Sequence, residues 1–118
     1  MNKPLRDASR LYEVERRTRH AERPGFRINE LQISPTQGVP WHCHSAITDT
    51  IYVIEGVIAL SLRTPAEELR LAPGESYAVR PGRPHRVSNA GAISATFLAI
   101  QGVGEYDFVP LDPEEDHP

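Results

Sequence analysis

A chain of 118 residues, 39% hydrophobic and 25% charged, has the length of one domain and an ordinary globular composition, with no apolar run near the roughly 20 residues of a membrane-spanning helix. Its net charge of -3 and pI near 5.9 give no general attraction for nucleic acid, and a single cysteine, Cys43, excludes an internal disulfide framework. The start, Met-Asn-Lys-Pro-Leu-Arg-Asp, lacks the apolar stretch of a secretory signal, so the expected location is cytoplasmic, with neither membrane nor nucleic acid as a partner.

Residues 1–24 are polar and arginine-rich, with Leu11, Tyr12 and Val14 as apolar anchors; the pattern fits a short helix or an extended arm on a sheet edge. From Gly25 to Ile33, Phe26 and Ile28 alternate with Arg27 and Asn29, which predicts a half-buried strand. The apolar phase then moves to Leu31 and Ile33, so a bulge or change of face is expected near Glu30. Pro35 to Pro40 is a turn-rich approach to the next strand. Beyond Gly56, Val57 to Arg63 reads as a strand, Thr64 to Glu68 as a hairpin loop and Leu69 to Leu71 as the return. Pro73-Gly74 turns, Ser76 to Val79 is a strand, Arg80 to Pro84 a proline-stiffened loop, and His85 to Asn89 a further strand. Ala90-Gly91 turns into a last strand, Ala95 to Gln101. Short strands with turn signals at this spacing predict an all-β sandwich or barrel. The tail carries four acidic residues between Asp112 and Asp116, and its end is expected to be disordered.

The stretch Trp41-His-Cys-His-Ser-Ala-Ile-Thr-Asp49 carries the chemistry. On a strand, His42 and His44 share one face and Cys43 takes the other. A loop from Ser45 to Thr48 leads to a second strand, where Asp49, Ile51 and Val53 share the histidines' face. Two imidazoles and a carboxylate then converge, a donor set suited to iron, manganese, nickel, copper or zinc. His85, just after a Pro/Gly turn, offers a fourth ligand. Strand parity makes Cys43 a buried structural thiol rather than a nucleophile beside the metal. Arg80, Arg83 and Arg86 surround the His85 turn and fit either a clamp for a substrate phosphate or carboxylate, or a solvated surface. Glu30, Gln101 and Tyr106 are candidates for the barrel mouth. Tyr52 and Tyr77 are expected to pack.

Two segments resemble the motifs of the cupin superfamily. His42, His44, Asp49 and Gly56 fall at the places of its first motif, and Gly74, Gly82, His85 and Asn89 at those of its second. The departures are Asp49 where the acid is usually Glu, Gly38 unusually close to the first histidine, and Arg80 at a turn that usually holds proline. The resemblance covers roughly residues 25 to 105. It implies an all-β, single-domain double-stranded β-helix, or jelly-roll barrel, over residues 25–109, with residues 1–24 as an N-terminal arm and 110–118 as an acidic tail. It also implies one divalent transition metal (Mn, Fe, Ni or Zn) on His42, His44, Asp49 and His85, and a homodimer. Arg80, Arg83 and Gln101 are the substrate-binding candidates. Three functions fit: a metal-dependent enzyme using Lewis-acid chemistry on a small oxygenated or sugar-phosphate metabolite, an iron-dependent dioxygenase, or a non-catalytic binding or sensing module. Some small bacterial cupins of similar look transfer a methylthio group from a sugar phosphate to a thiol, which makes that chemistry one candidate.

Overall fold

Alternating apolar runs broken by Pro/Gly turns fold into ten strands: β1 Arg16–Arg23, β2 Phe26–Ile33, β3 Gly38–Cys43, β4 Thr48–Glu55, β5 Ile58–Leu62, β6 Glu67–Leu71, β7 Ser76–Val79, β8 His85–Asn89, β9 Ala95–Gly102 and β10 Val109–Pro110. The computed structural model describes residues 3–113. No helix occurs among them, and so none is long and apolar enough to cross a membrane. The strands form two five-stranded antiparallel sheets, ordered β1-β2-β9-β4-β7 and β10-β3-β8-β5-β6. This is the expected double-stranded β-helix.

The inner faces enclose one core, built from Leu31, Ile33, Ile51, Val53 and Phe97 of the first sheet and Val39, Ile58, Leu60, Leu62 and Val87 of the second. Full burial of each such side chain stabilises by roughly 1.5–3 kcal/mol. Parity on β4 is as anticipated, with Asp49, Ile51 and Val53 all inward and buried.

The bulge expected near Glu30 lies elsewhere. β2 pairs with β9 without interruption from Phe26↔Gly102 to Ile33↔Ala95, and the irregularity falls in β1, between Arg19 and Ala21. Leu31 and Ile33 fix the inward parity of β2, so Arg27 and Asn29 also face inward, and Phe26 and Ile28 lie on the outer face. The apparent phase shift is therefore a change of polarity along one face. β2 is polar at the barrel mouth and apolar in its depth.

A second irregularity lies between Val39 and His42, whose partners on β8 are Val87 and His85. The two residues Pro40 and Trp41 thus span a single β8 position, Arg86. This bulge accommodates a proline, which has no N–H for the ladder, and lets Val39 and His42 both face inward. Residues 38–40, read from sequence as an approach turn, are already strand.

Gly56 holds a positive φ of 78°, and an added Cβ would meet backbone and side-chain atoms of Ala95 at 2.8 to 2.9 Å. Glycine is needed there both for the turn and for the close approach. At the N-terminus, Leu5 bridges Phe108, Ala8 is buried, and β1 lies along β2 at the sheet edge. At the other end, β10 pairs with β3, Leu111 N–H donates to the Trp41 carbonyl, and Arg63 donates to the carbonyls of Asp112 and Pro113. The tail expected to be disordered thus starts as ordered chain; residues 114–118 lie outside the described residues.

Candidate metal centre

Three strand ends bring the four ligand candidates together. His42 lies on β3 with His44 just beyond it, Asp49 opens β4, and His85 opens β8 directly opposite His42. All four are buried, and their ligand atoms lie within 4.8 Å of one another.

The backbone fixes each imidazole. Nδ1 of His42 donates to the Pro40 carbonyl at 2.7 Å, Nδ1 of His44 to Asp107 at 2.6 Å, and Nδ1 of His85 to Arg83 at 3.0 Å. A carbonyl only accepts, so Nδ1 carries the proton and a neutral ring presents a lone pair at Nε2. Asp49 Oδ2 lies 3.2 Å from His44 Nε2 and 3.0 Å from His85 Nε2. Lone pairs facing a carboxylate at that distance require a cation between them, either a proton or a metal ion. Three imidazole nitrogens and one carboxylate oxygen fit a first-row divalent metal. The cluster could therefore hold a metal.

Charge at the site follows from burial and mutual contact. Burial, reinforced by neighbouring His85 and His44, pushes the His42 imidazole well below the ordinary histidine value and keeps it neutral. Burial also opposes the charge on Asp49, but hydrogen bonds from His44 and His85 overcome it and hold the carboxyl well below its ordinary value. For His44, burial pulls down while the hydrogen bond and charge of Asp49 pull up, and the result lies above 6.5. Without metal, a His44 imidazolium paired with Asp49 contributes stability that is present in full below that ordinary value and lost as pH rises through the raised one. A metal must displace this proton. The rise in Tm on adding Mn(II) or Zn(II) is accordingly expected to grow between about pH 6 and about pH 8, and an equal rise at both ends would rule out competition between metal and proton at His44.

The surroundings divide into two spaces. An inner chamber of about 30 Å³ is lined by His42, His44 and Asp49 and by Tyr12, Ile51, Phe97, Gln101, Tyr106 and Phe108, among others. A vestibule of about 580 Å³ at the same end of the barrel is lined by Arg27, Gln101, Tyr106, Arg6, Arg23 and Phe26, among others. Gln101 and Tyr106 border both. The Phe108 ring stacks on His42 with centroids 4.3 Å apart and planes 10° apart, and the Tyr12 ring stacks on Phe108 at 6.2 Å. A separate concavity of about 770 Å³ is lined by Trp41, Arg63, Arg86 and the β5–β6 turn and shares no residue with the four ligand candidates.

The other sequence candidates separate. Gln101 is buried at 6% exposure, and its Nε2 donates to Asp49 Oδ1 at 3.3 Å, so it orients a ligand candidate. Tyr106 reaches the site, its ring centroid 5.5 Å from that of His44. Glu30 does not: it lies on the outer face of β2, paired with Arg16 and His20. Arg83 is buried but directed away from the chamber. Its Nε donates to the Arg63 carbonyl, Nη1 to Tyr77 Oη, and Nη2 to the Pro65 carbonyl and Glu67, so it braces the β5–β6 turn. Arg80 is exposed and donates to the Thr64 carbonyl, and Arg86 lies over Trp41. None of these three arginines lines the chamber or the vestibule. Cys43 is buried on β3. Tyr77 packs against the core, whereas Tyr52 is 39% exposed on the outer sheet face. The sequence reading gave Arg27 and Tyr12 no place at the site and did not single out Asp107, whose carbonyl accepts from His44. Inward parity set by Leu31 and Ile33 was the signal available for Arg27.

The cupin domain family model matches residues 29–101. The tetracenomycin polyketide synthase protein TcmJ of Streptomyces glaucescens is 34% identical over 71 residues, which are 60% of this chain and 46% of that protein. The chain thus spans about half the length of this curated relative. Among solved structures, a conserved protein with a double-stranded β-helix domain from Klebsiella pneumoniae has a TM-score of 0.73 at 22% identity, over 82% of this chain and 84% of that one. KdgF from Halomonas sp. has a TM-score of 0.68 at 15% identity, over 79% and 87%. These two likenesses are of fold.

Proposed function

The chain belongs to the cupin domain family, and from that premise we propose that it is a metal-dependent enzyme acting on a small, oxygen-rich metabolite through a divalent Mn, Fe, Ni or Zn ion. The observation that carries this reading is the buried set of three Nδ1-anchored imidazoles around the Asp49 carboxylate, opening toward a chamber rather than closed by a fourth protein nitrogen or sulfur. Structural zinc sites commonly include cysteine ligands, and this donor set has none. The similarity to TcmJ, a polyketide synthase protein, favours a substrate with neighbouring carbonyl oxygens. A sugar phosphate has less support, because Arg80 and Arg83 lie outside the chamber and the donors of Arg83 are engaged within the chain.

When bound, the metal supplies Lewis acidity to substrate oxygens. His42, His44, His85 and Asp49 hold it, and Gln101 steadies Asp49 through Oδ1. Burial raises the Tyr106 phenol well above its ordinary value, so its hydroxyl keeps its proton and can donate a hydrogen bond to an oxygen that gains charge. Apart from the four ligand candidates, no residue lining the chamber carries a carboxylate or an imidazole. Burial raises the Tyr12 phenol as well, so both hydroxyls act there as hydrogen-bond donors rather than as bases. Leu31, Ile51, Val87 and Phe97 exclude water from the inner wall.

Protein purified without chelator is expected to carry near-stoichiometric Mn, Fe, Ni or Zn, and His44→Ala to lose it, by elemental analysis. Wild-type protein that neither contains metal nor takes it up would overturn the reading. Metal-loaded protein that binds β-dicarbonyl compounds without converting them would be a sensing or binding module.

A further inference from the structure

The register places a guanidinium two strands from the metal ligands on one inner face. Glu22, Arg27, Gln101, Asp49 and Val79 form a single cross-strand row over β1, β2, β9, β4 and β7. Arg27 thus stands roughly 10 Å from Asp49 by backbone, two strand spacings, with Gln101 between. Two polar atoms in this row are buried without a partner: Nε of Arg27 and Oε1 of Gln101. Buried polar groups are seldom left unpaired unless a ligand or water completes them.

The neighbouring charges do not explain Arg27. Arg6 pairs with Glu105 at 3.1 Å, Glu22 pairs with Arg19 at 2.7 Å, and Arg23 donates to the Glu22 carbonyl at 3.0 Å. The Arg27 guanidinium instead lies over the Tyr106 ring, 3.9 Å from its centroid. That contact fixes the plane of the guanidinium and leaves its edge free. The inner chamber, about 30 Å³, has room for little beyond a metal and its small ligands, so the body of a substrate must lie in the 580 Å³ vestibule that Arg27 lines.

We propose that Arg27 is the anion subsite of this metal centre and that the substrate carries a carboxylate a few bonds from its metal-binding oxygens. Resting on the metal-dependent reading above, this names the substrate class. A planar carboxylate matches the edge of one guanidinium in two parallel hydrogen bonds, and with Arg6 engaged by Glu105 and Arg23 by the Glu22 carbonyl one guanidinium is what the vestibule offers an anion. Gln101 Oε1 accepts from a substrate hydroxyl midway along the row.

The test uses metal-chelating hydroxamates that differ only in their tails. Succinic monohydroxamate, butyrohydroxamate and a phosphonate-tailed analogue of equal length are titrated calorimetrically into Mn(II)-loaded wild type, R27K and R27Q, with metal content and Tm measured on the same samples. The carboxylate tail is expected to tighten binding to wild type by about tenfold or more over the neutral tail, the gain of a charge-assisted pair. R27Q should abolish this advantage and R27K reduce it, while butyrohydroxamate binds all three alike. Equal affinity for the carboxylate and neutral tails in metal-bearing wild type would overturn the subsite and leave the metal reading intact. Preference for the phosphonate would overturn the carboxylate assignment. Absence of metal from wild type would remove the metal reading, and the subsite with it.

Discussion

Asp49→Asn is expected to lower divalent-metal affinity by about a hundredfold or more, since loss of even a ligand's hydrogen-bond partner typically costs 10- to 100-fold. Asp49 is itself a ligand candidate and the only carboxylate in the cluster. Its Oδ2 contacts both His44 and His85, and its Oδ1 accepts from Gln101. The asparagine keeps the shape, and its amide can donate to a neutral Nε2, so the barrel should remain folded. A second effect separates this variant from a merely damaged one. In the metal-free wild type, the raised His44 value makes part of the stability fall away as pH rises above the ordinary histidine range. Without the carboxylate, that dependence should flatten. Calorimetric metal titration together with Tm against pH reads both, and wild-type metal affinity in the variant would remove Asp49 from the ligand set.

Phe108→Ala is expected to destabilise the protein by about 3–5 kcal/mol, the range for loss of a fully buried phenyl ring. Phe108 is 2% exposed, and its ring stacks on those of His42 and Tyr12. Its backbone exchanges two hydrogen bonds of 2.7 Å with Leu5. One residue therefore supports the core, a metal-ligand candidate and the N-terminal arm together. Tm should fall by about 10 °C or more, residues around Arg6 and Arg10 should become accessible to trypsin before global unfolding, and metal affinity should weaken as His42 loses its stacking partner. Phe108→Leu retains most of the apolar volume and should recover most of the stability without the stacking. A loss of under about 1 kcal/mol in the alanine variant, well below the usual range, would show that the arm and the ring contribute little.

Much of the site was legible because it rests on strand parity, which is local. His42 and His44 alternate around Cys43, and Asp49, Ile51 and Val53 repeat every second residue, so their common face could be read directly. His85 could be placed only through its resemblance to a second motif, since nothing local ties residue 85 to residue 42. The same parity misled in β2. Phe26 and Ile28 are apolar and were read with the buried face, yet Leu31 and Ile33 fix the opposite parity, and Phe26 and Ile28 lie on the outer sheet surface. The arginines were the least legible. Proximity in sequence to His85 made Arg80 and Arg83 attractive, but the Arg83 side chain finds three carbonyl or hydroxyl oxygens and Glu67 around the β5–β6 turn, partners 6 to 20 residues away.

The sequence by itself determined the all-β class, the strands of the barrel apart from β1 and β10, and the four residues of the candidate metal cluster, because each of these depends on period-two alternation or on the spacing of a short motif. Only the tertiary structure decided which polar residues face the cluster. Arg27 shares a cross-strand row with Asp49 through the register of β2 against β9 and of β9 against β4, pairings that span 74 and 52 residues of chain. Backbone hydrogen bonds between distant strands set that row, and a side chain's address within it cannot be computed from its neighbours in sequence.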